Sequence, residues 1–212
     1  MKIGIIGATG KAGNLITKEA LDRGHDVTAI VRNASKVKDT TIHVLEKDVF
    51  DLEKSDLEGF DVVVNAFNAA PGEENLHITA GKKLISILEN AGDTRLIVVG
   101  GAGSLFVDED MTLRLIETPD FPEAYVPTAK NMLSNLLDLQ NTKGLDWTYI
   151  SPSAFFDFQG ARTGKYVAGK DNLLTNSKGD SYISYADYAI AVVDEIEQPK
   201  HRRERFTVGS AD

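Results

Sequence analysis

The chain contains no cysteine, which removes disulfides, thiolate metal ligands and cysteine nucleophiles from consideration. Its four histidines, at 25, 43, 77 and 201, are scattered without ligand spacing, so no metal site is expected. No apolar run approaches the roughly 20 residues of a membrane span. The N-terminus passes from Met1 straight into an apolar strand, without the charged, long apolar and cleavable regions of a leader in series. A soluble, cytoplasmic protein that does not engage a membrane is therefore expected. Basic charge is also short: 23 Lys and Arg against 32 Asp and Glu leave a formal net charge of -9, which repels nucleic acid and anionic lipid. The one basic run, "KHRRER" at 200–205, is interrupted by Glu204 and reads as a solvated approach to a strand. No stretch reads as a linker or low-complexity tract, and 212 residues at 42% hydrophobic content can bury one sizeable core. A single domain, 1–212, is expected.

What is present is an alternation. Short apolar runs of the kind buried on both faces recur at Lys2 to Ile6, Asp26 to Val31, Thr41 to Leu45, Val62 to Ala66, Arg95 to Val99 and Trp147 to Ile150. Helical patterns lie between most of them. The first, Lys11 to Arg23, puts Ala12, Leu15, Ile16 and Ala20 on one face and stops at Gly24, a natural residue to follow a helix. Asn75 to Glu89 and Pro127 to Gln140 repeat the period, the latter through Met132, Leu133, Leu136 and Leu137. The link from Val31 to Thr41 is too short for a long helix. Such alternation predicts an α/β fold, a doubly wound, Rossmann-like parallel sheet with helices on both faces. Residues 1–150 would be its core. Beyond Ser151 the pattern weakens into glycine-rich loops and short strands, followed by a last helix opened by "SYAD", where Ser184 and Asp187 resemble a capping box. A final strand is expected over Arg205 to Val208, so 151–212 would form a smaller, substrate-side region.

The stretch "IIGATGKAGNL" places Gly7, Gly10 and Gly13 between the first strand and first helix. Such a turn offers a tight bend, close approach of backbone to a pyrophosphate, and free helix N–H groups with partial positive charge. Gly7 would make the bend, Gly10 would admit phosphates and Gly13 would let the helix lie close to the sheet, with Thr9, Lys11 and Ala12 alongside. A P-loop is rejected, because its first glycine would fall at Ile5 and its Ser/Thr at Ala12. Strand, glycines and helix in this order predict dinucleotide binding; the bland alternative is a purely steric turn. About 20 residues on, an acidic side chain would favour NAD and an Arg NADP. Arg32 stands there, with Ser35 and Lys36 behind, so NADP is favoured over NAD.

With "GATGKAG", "GHDVTAIVR", "KDVFD" and "VVNAF" in its first half, the chain resembles the atypical short-chain dehydrogenase/reductases that bind NAD(P). Its "LDWTYISPSAFF", "RTGKY" and "ISYADYAIAVVDE" are most similar to the NADH-flavin reductase group, itself similar to the biliverdin reductase B and NmrA-like branches. The resemblance implies Asp48 near the adenine, Asn65, Ala66 and Phe67 along the cofactor, and the loop with Gly100 and Gly101 beneath the nicotinamide. It offers Ser104 as a serine counterpart in catalysis. The Tyr-x-x-x-Lys pair of short-chain dehydrogenases is missing: Tyr125 and Lys130 are five apart, with Pro127 between. Loss of that acid is damaging to a carbonyl reductase or an epimerase and tolerable for hydride transfer to a flavin, whose ring delocalises the charge. Where the biliverdin branch has His after Pro, this chain has Ser153, which argues against biliverdin. Ser153, Phe155 and Phe156 are the expected substrate-pocket residues, with Phe158 and Tyr166 as further aromatics. Arg162 and Lys165 are read as solvated loop charges, with attraction of a flavin phosphate as the alternative, Trp147 as core and His77 as structural or exposed. The expected activity is an NAD(P)H-dependent oxidoreductase passing hydride to a flavin or quinone-like small molecule. The competing expectation is a non-catalytic redox sensor of NmrA-like type.

Overall fold

A computed structural model describes residues 1–89 and 92–211. In chain order the elements are β1 (Lys2–Ile6), α1 (Lys11–Asp22), β2 (Asp26–Val31), β3 (His43–Glu46), α2 (Lys54–Leu57), β4 (Val62–Asn65), α3 (Leu76–Leu88), β5 (Arg95–Val99), α4 (Val126–Gln140), β6 (Trp147–Ser151), β7 (Phe155–Asp157), β8 (Tyr166–Gly169), β9 (Tyr182–Ser184), α5 (Tyr185–Glu197) and β10 (Glu204–Ser210). Eight strands form one sheet in the order β3-β2-β1-β4-β5-β6-β10-β8, parallel throughout except where β8 runs against β10. The fold is thus the expected Rossmann-like α/β domain, with the order reversing between β1 and β4. A separate parallel pair, β7 and β9, sits beside the sheet.

The central strands read as unbroken apolar runs because both faces are covered. Val62 and Val64 enter one core with Ile3, Ile5 and Ile150; Val63 enters the other with Leu96, Val98 and Trp147. The first core lies under α1 and α5, which pack together, and the second under α3 and α4. Fully burying each such Leu, Ile or Val contributes about 1.5–3 kcal/mol, so these alternating runs both fix the register and supply much of the driving force.

Four details differ from expectation. The third strand is shifted to His43–Glu46 and lies at the sheet edge with Val44 exposed, because nothing continues the sheet beyond it. On α4 the buried positions are Ala129, Asn135, Leu136 and Leu139, and Leu137 is exposed. At α5, Ser184 Oγ accepts the Asp187 N–H at 3.0 Å, but the Asp187 carboxylate does not return to the cap: it accepts from the N–H groups of Thr163 and Gly164, both at 2.9 Å, tying the 160–165 loop down. Within the basic run, Arg205 is buried on Asp171. The β2–β3 link contains only a single 3-10 turn, Ala34–Lys36.

A buried ion pair braces the opposite end of the sheet. Arg95, at the start of β5, meets Glu195 of α5 and donates to the Glu195 carbonyl at 2.9 Å, while the Glu195 carboxylate accepts from the His201 N–H at 2.9 Å. No helix among the described residues is long and apolar enough to cross a membrane.

Candidate functional site

The C-terminal ends of β1, β2, β4, β5 and β6 open into a cavity of about 710 Å³ at the point where strand order reverses. Open parallel sheets place ligands there. The glycine turn forms its floor. Gly7 has φ +74°, and a Cβ on it would lie 2.6 Å from the Ala66 carbonyl oxygen; on Gly13 a Cβ would lie 2.2 Å from the Gly7 carbonyl oxygen. Side chains at either position would separate the turn from β4 or from α1. Gly10 is the N-cap of α1, with no side-chain cap and no acidic residue in the first turn. The first-turn N–H groups and the positive end of the helix are therefore left for an anion. Thr9, Gly10, Lys11 and Ala12 line the cavity, while Gly13 acts from behind by letting α1 close on the turn. This donor set fits a pyrophosphate.

At one end, Arg32, Asn33, Lys36, Lys47, Asp48 and Val49 line the wall. The Arg32 side chain is 77% exposed, its Nε 4.0 Å from Asp48 Oδ2. Asp48 also accepts from the Phe50 N–H at 3.2 Å, so it both borders the cavity and caps the turn that follows. Ser35 donates its hydroxyl to Asn33 Oδ1 at 2.6 Å and is engaged within its own turn. Lys47 is paired with Asp56 at 2.6 Å, which raises the lysine and lowers the aspartate. Arg32 and Lys36 remain as the cations facing this end.

In the middle, Ala66, Phe67 and Asn68 form the wall. Asn65 is buried and accepts from the Phe67 N–H at 3.1 Å, fixing that segment without lining the cavity itself. Phe67 meets Phe50 and His77 edge-on. Of the two readings of His77, structural or exposed, the structure gives the buried one, with burial pushing its imidazole below the ordinary histidine range.

The other end is built from Gly100, Gly101 and Ala102 after β5, Tyr125, Thr128 and Met132 around the start of α4, Pro152, Ser153 and Ala154 after β6, and Phe156 and Tyr185. Tyr149 holds the glycine loop: its hydroxyl accepts from the Gly101 N–H and donates to the Met132 carbonyl, both at 3.3 Å, and its ring occupies the space a Gly100 side chain would need. Burial pushes the Tyr149 phenol up to about 12, and both of its hydrogen bonds are spent on holding the loop. Phe156 and Tyr185 stack with centroids 3.6 Å apart and planes within 9°. Ser153 is buried and donates to the Val208 carbonyl at 3.0 Å.

Several anticipated residues are not brought here. Ser104 lies outside the cavity, buried, its oxygen accepting from Arg205 Nη1 at 3.1 Å. Phe155, adjacent to Phe156 in β7, projects from the opposite face, 62% exposed, against Tyr182. Lys130 does not line the cavity although Tyr125 does, and Tyr125 precedes α4, which leaves no Tyr-Lys pair. Arg162 is not merely solvated: it pairs with Glu19 of α1 at 3.0 Å. Tyr166 donates to Asp194 at 2.9 Å, away from the cavity. Tyr185 was not anticipated at all. It lies 29 residues after Phe156, and only the β7–β9 pairing, Phe156 opposite Ile183, brings the two rings together. Among the described residues no group of three or more His, Asp or Glu is placed to hold a metal.

The model of a family described as NAD(P)H-binding matches residues 7–199. The uncharacterized protein YwnB of Bacillus subtilis is 66% identical over 210 residues, 99% of each chain. A crystal structure of SP1627 from Streptococcus pneumoniae, described as a "putative NADH-flavin reductase", superposes with TM-score 0.95 at 44% identity over 100% of both chains. A Bacteroides thetaiotaomicron structure described as a "putative epimerase" superposes with TM-score 0.90 at 39% identity, over 100% of this chain and 97% of the other.

Proposed function

This chain belongs to the NAD(P)H-binding family, and from that premise we propose that it is an NAD(P)H-dependent oxidoreductase that passes hydride to a flavin or quinone-like acceptor. The observation that carries this reading is the division of one cavity into a phosphate-cradling floor, a cationic end and an aromatic end. The bound dinucleotide supplies the hydride. The chain supplies the rest: the α1 N-terminus and Thr9 hold the pyrophosphate, Asp48 and Val49 border the adenine, and the Gly100–Gly101 loop, fixed by Tyr149, supports the nicotinamide. Phe156, Tyr185, Tyr125 and Met132 wall the space where a planar acceptor would lie against it. Arg32 and Lys36 support a preference for NADP over NAD, since a 2′-phosphate would meet two cations there.

An epimerase must move a proton on and off an alcohol. Among the described residues Ser104 is buried on Arg205 and Lys130 lies outside the cavity, which counts against a Ser-Tyr-Lys acid–base set, whereas hydride transfer to a delocalised ring needs mainly positioning. The test is a titration of the purified protein with NADPH and NADH, followed in the same cuvette by FMN and then quinones, with the nicotinamide absorbance recorded. Consumption that begins only on adding an acceptor supports the reductase. Tight binding with no consumption by any acceptor overturns it in favour of a dinucleotide-sensing protein.

A further inference from the structure

We infer that the Tyr185 hydroxyl is the hydrogen-bond donor that holds the acceptor atom on which negative charge develops. This rests on the hydride-transfer reading above. At the aromatic end of the cavity no Asp, Glu, His or Arg lines the wall, and the one ammonium near it, Lys11 Nζ, is held over the Phe158 ring 5.2 Å from its centroid, so the other side-chain donors there are hydroxyls. Four hydroxyls are present, on Tyr125, Thr128, Ser153 and Tyr185. Ser153 has its proton committed to the Val208 carbonyl. Tyr125 is 65% exposed, where water competes for its hydrogen bonds. Thr128 is an aliphatic alcohol, a weaker donor than a phenol.

Tyr185 differs from all three. Its ring is clamped flat on Phe156 and met edge-on by Phe158 at 5.7 Å, and its backbone is fixed by the Ser184 cap and the β7–β9 pairing. No described residue bonds its hydroxyl. A side chain with two torsions locked by packing is already organised before substrate arrives, which is what makes a donor effective in a transition state. Burial and the neighbouring Tyr125 push its phenol above the ordinary tyrosine range, so the O–H is retained at neutral pH.

In the step itself the acceptor gains a hydride, two electrons with one proton, from the dihydronicotinamide, which is oxidised to the nicotinamide cation. The acceptor becomes a monoanion. Tyr185 keeps its proton and donates a hydrogen bond to the anionic oxygen or nitrogen; the second proton comes from water as the product leaves.

The test uses the full chain as Tyr185→Phe, with Tyr125→Phe as comparator, in two arms. In the binding arm, with NADP⁺ present, titrations use neutral 1,4-naphthoquinone and the enolate of 2-hydroxy-1,4-naphthoquinone, an anionic mimic of the reduced ring. Tyr185→Phe should weaken the enolate by about 10- to 150-fold, as for a lost bond to a charged group, and the neutral quinone by less, about 2- to 10-fold, as for a lost neutral bond. In the turnover arm it should lower kcat with the naphthoquinone by about 100- to 1,000-fold, the range for a lost transition-state donor, while the Kd for NADPH is unchanged. Unchanged enolate binding by Tyr185→Phe, or a larger loss in Tyr125→Phe, overturns the assignment. A wild-type protein that oxidises no NADPH with any acceptor overturns the hydride-transfer reading instead, and the binding arm still decides whether Tyr185 recognises an anion.

Discussion

Replacing Gly13 by alanine sets two effects of known sign against each other. Glycine to alanine inside a helix favours the folded state by about 1 kcal/mol. Against this, the new Cβ would lie 2.2 Å from the Gly7 carbonyl oxygen, 2.8 Å from its carbon and 3.0 Å from Ala8 Cα. All three are backbone atoms, so no rotamer change relieves the contact, and α1 must retreat by roughly 1 Å to restore ordinary van der Waals separation. It cannot do so freely, because Ile16 and Ala20 of the same helix are fully buried. The Gly7 carbonyl is also the acceptor for the Gly10 N–H at 2.8 Å, so the turn itself loosens. Overpacking of this kind costs about 1–3 kcal/mol, and loss of a turn hydrogen bond about 1 kcal/mol. The net expectation is a destabilisation of about 1–3 kcal/mol, or roughly 2–12 °C in Tm for a chain of this size. NADPH affinity should fall by at least about tenfold, since the helix N–H groups that meet the phosphates move with α1. Gly24→Ala is the control. It has φ +80° with open space around it, so it should lose about 1–2 kcal/mol from strain with NADPH binding intact. Thermal melts and fluorescence titration decide the matter: a Gly13→Ala protein as stable as wild type, with unchanged Kd, would refute the close approach of α1 to the turn.

Other consequences can be checked with the same two assays. Arg32→Asp should weaken NADPH by about 1–3 kcal/mol, the worth of a charge-assisted phosphate contact, and NADH by much less; equal losses would remove Arg32 from cofactor selection. Glu195→Ala leaves Arg95 buried without its carboxylate, so stability should drop by about 3–5 kcal/mol in chemical denaturation, and a drop under about 1 kcal/mol would show that the pair is not a brace. His77 is held neutral by burial, its folded pKa depressed although Glu74 opposes this. Between the folded and unfolded pKa values the unfolded chain binds more protons, so this contribution is complete above the unfolded value of about 6.5 and is lost as pH falls below it. His77→Gln, which retains an acceptor for the Ala69 N–H, should flatten the acid side of the stability profile, and an unaltered slope would contradict a buried neutral imidazole.

What could be read from the sequence was whatever a local pattern determines. Gly7, Gly10 and Gly13 announce their turn because the chain has no other cheap way to bend, admit phosphate and close a helix within seven residues. Val62 to Asn65 announces a central strand because burial on both faces demands an unbroken apolar run. Tyr125, rejected on spacing as half of a Tyr-Lys pair, indeed falls outside α4. Where a residue's role depends on a partner distant in sequence, the pattern is silent. His43 to Glu46 has the composition of a strand, but only the final order shows that it has one neighbour and not two. Asp187 sits where a capping carboxylate belongs, yet three hydrogen bonds from Thr163 and Gly164 compete with one backbone N–H, and the loop wins. Ser104 follows the right loop, yet Arg205, 101 residues later, turns its oxygen inward. Tyr185 is the most consequential case. Beside an N-cap serine it reads as ordinary helix packing, and its place at the cavity follows from β9 pairing with β7, a two-stranded contact three residues long with no periodicity to betray it. The phosphate-cradling floor is therefore written in one contiguous turn and legible, whereas the stack of Tyr185 on Phe156 at the aromatic end is assembled by tertiary pairing. A different acceptor could be accommodated by changing residues 152–185 without disturbing the glycine turn, so the reaction must be argued from Phe156 and Tyr185 and not from Gly7.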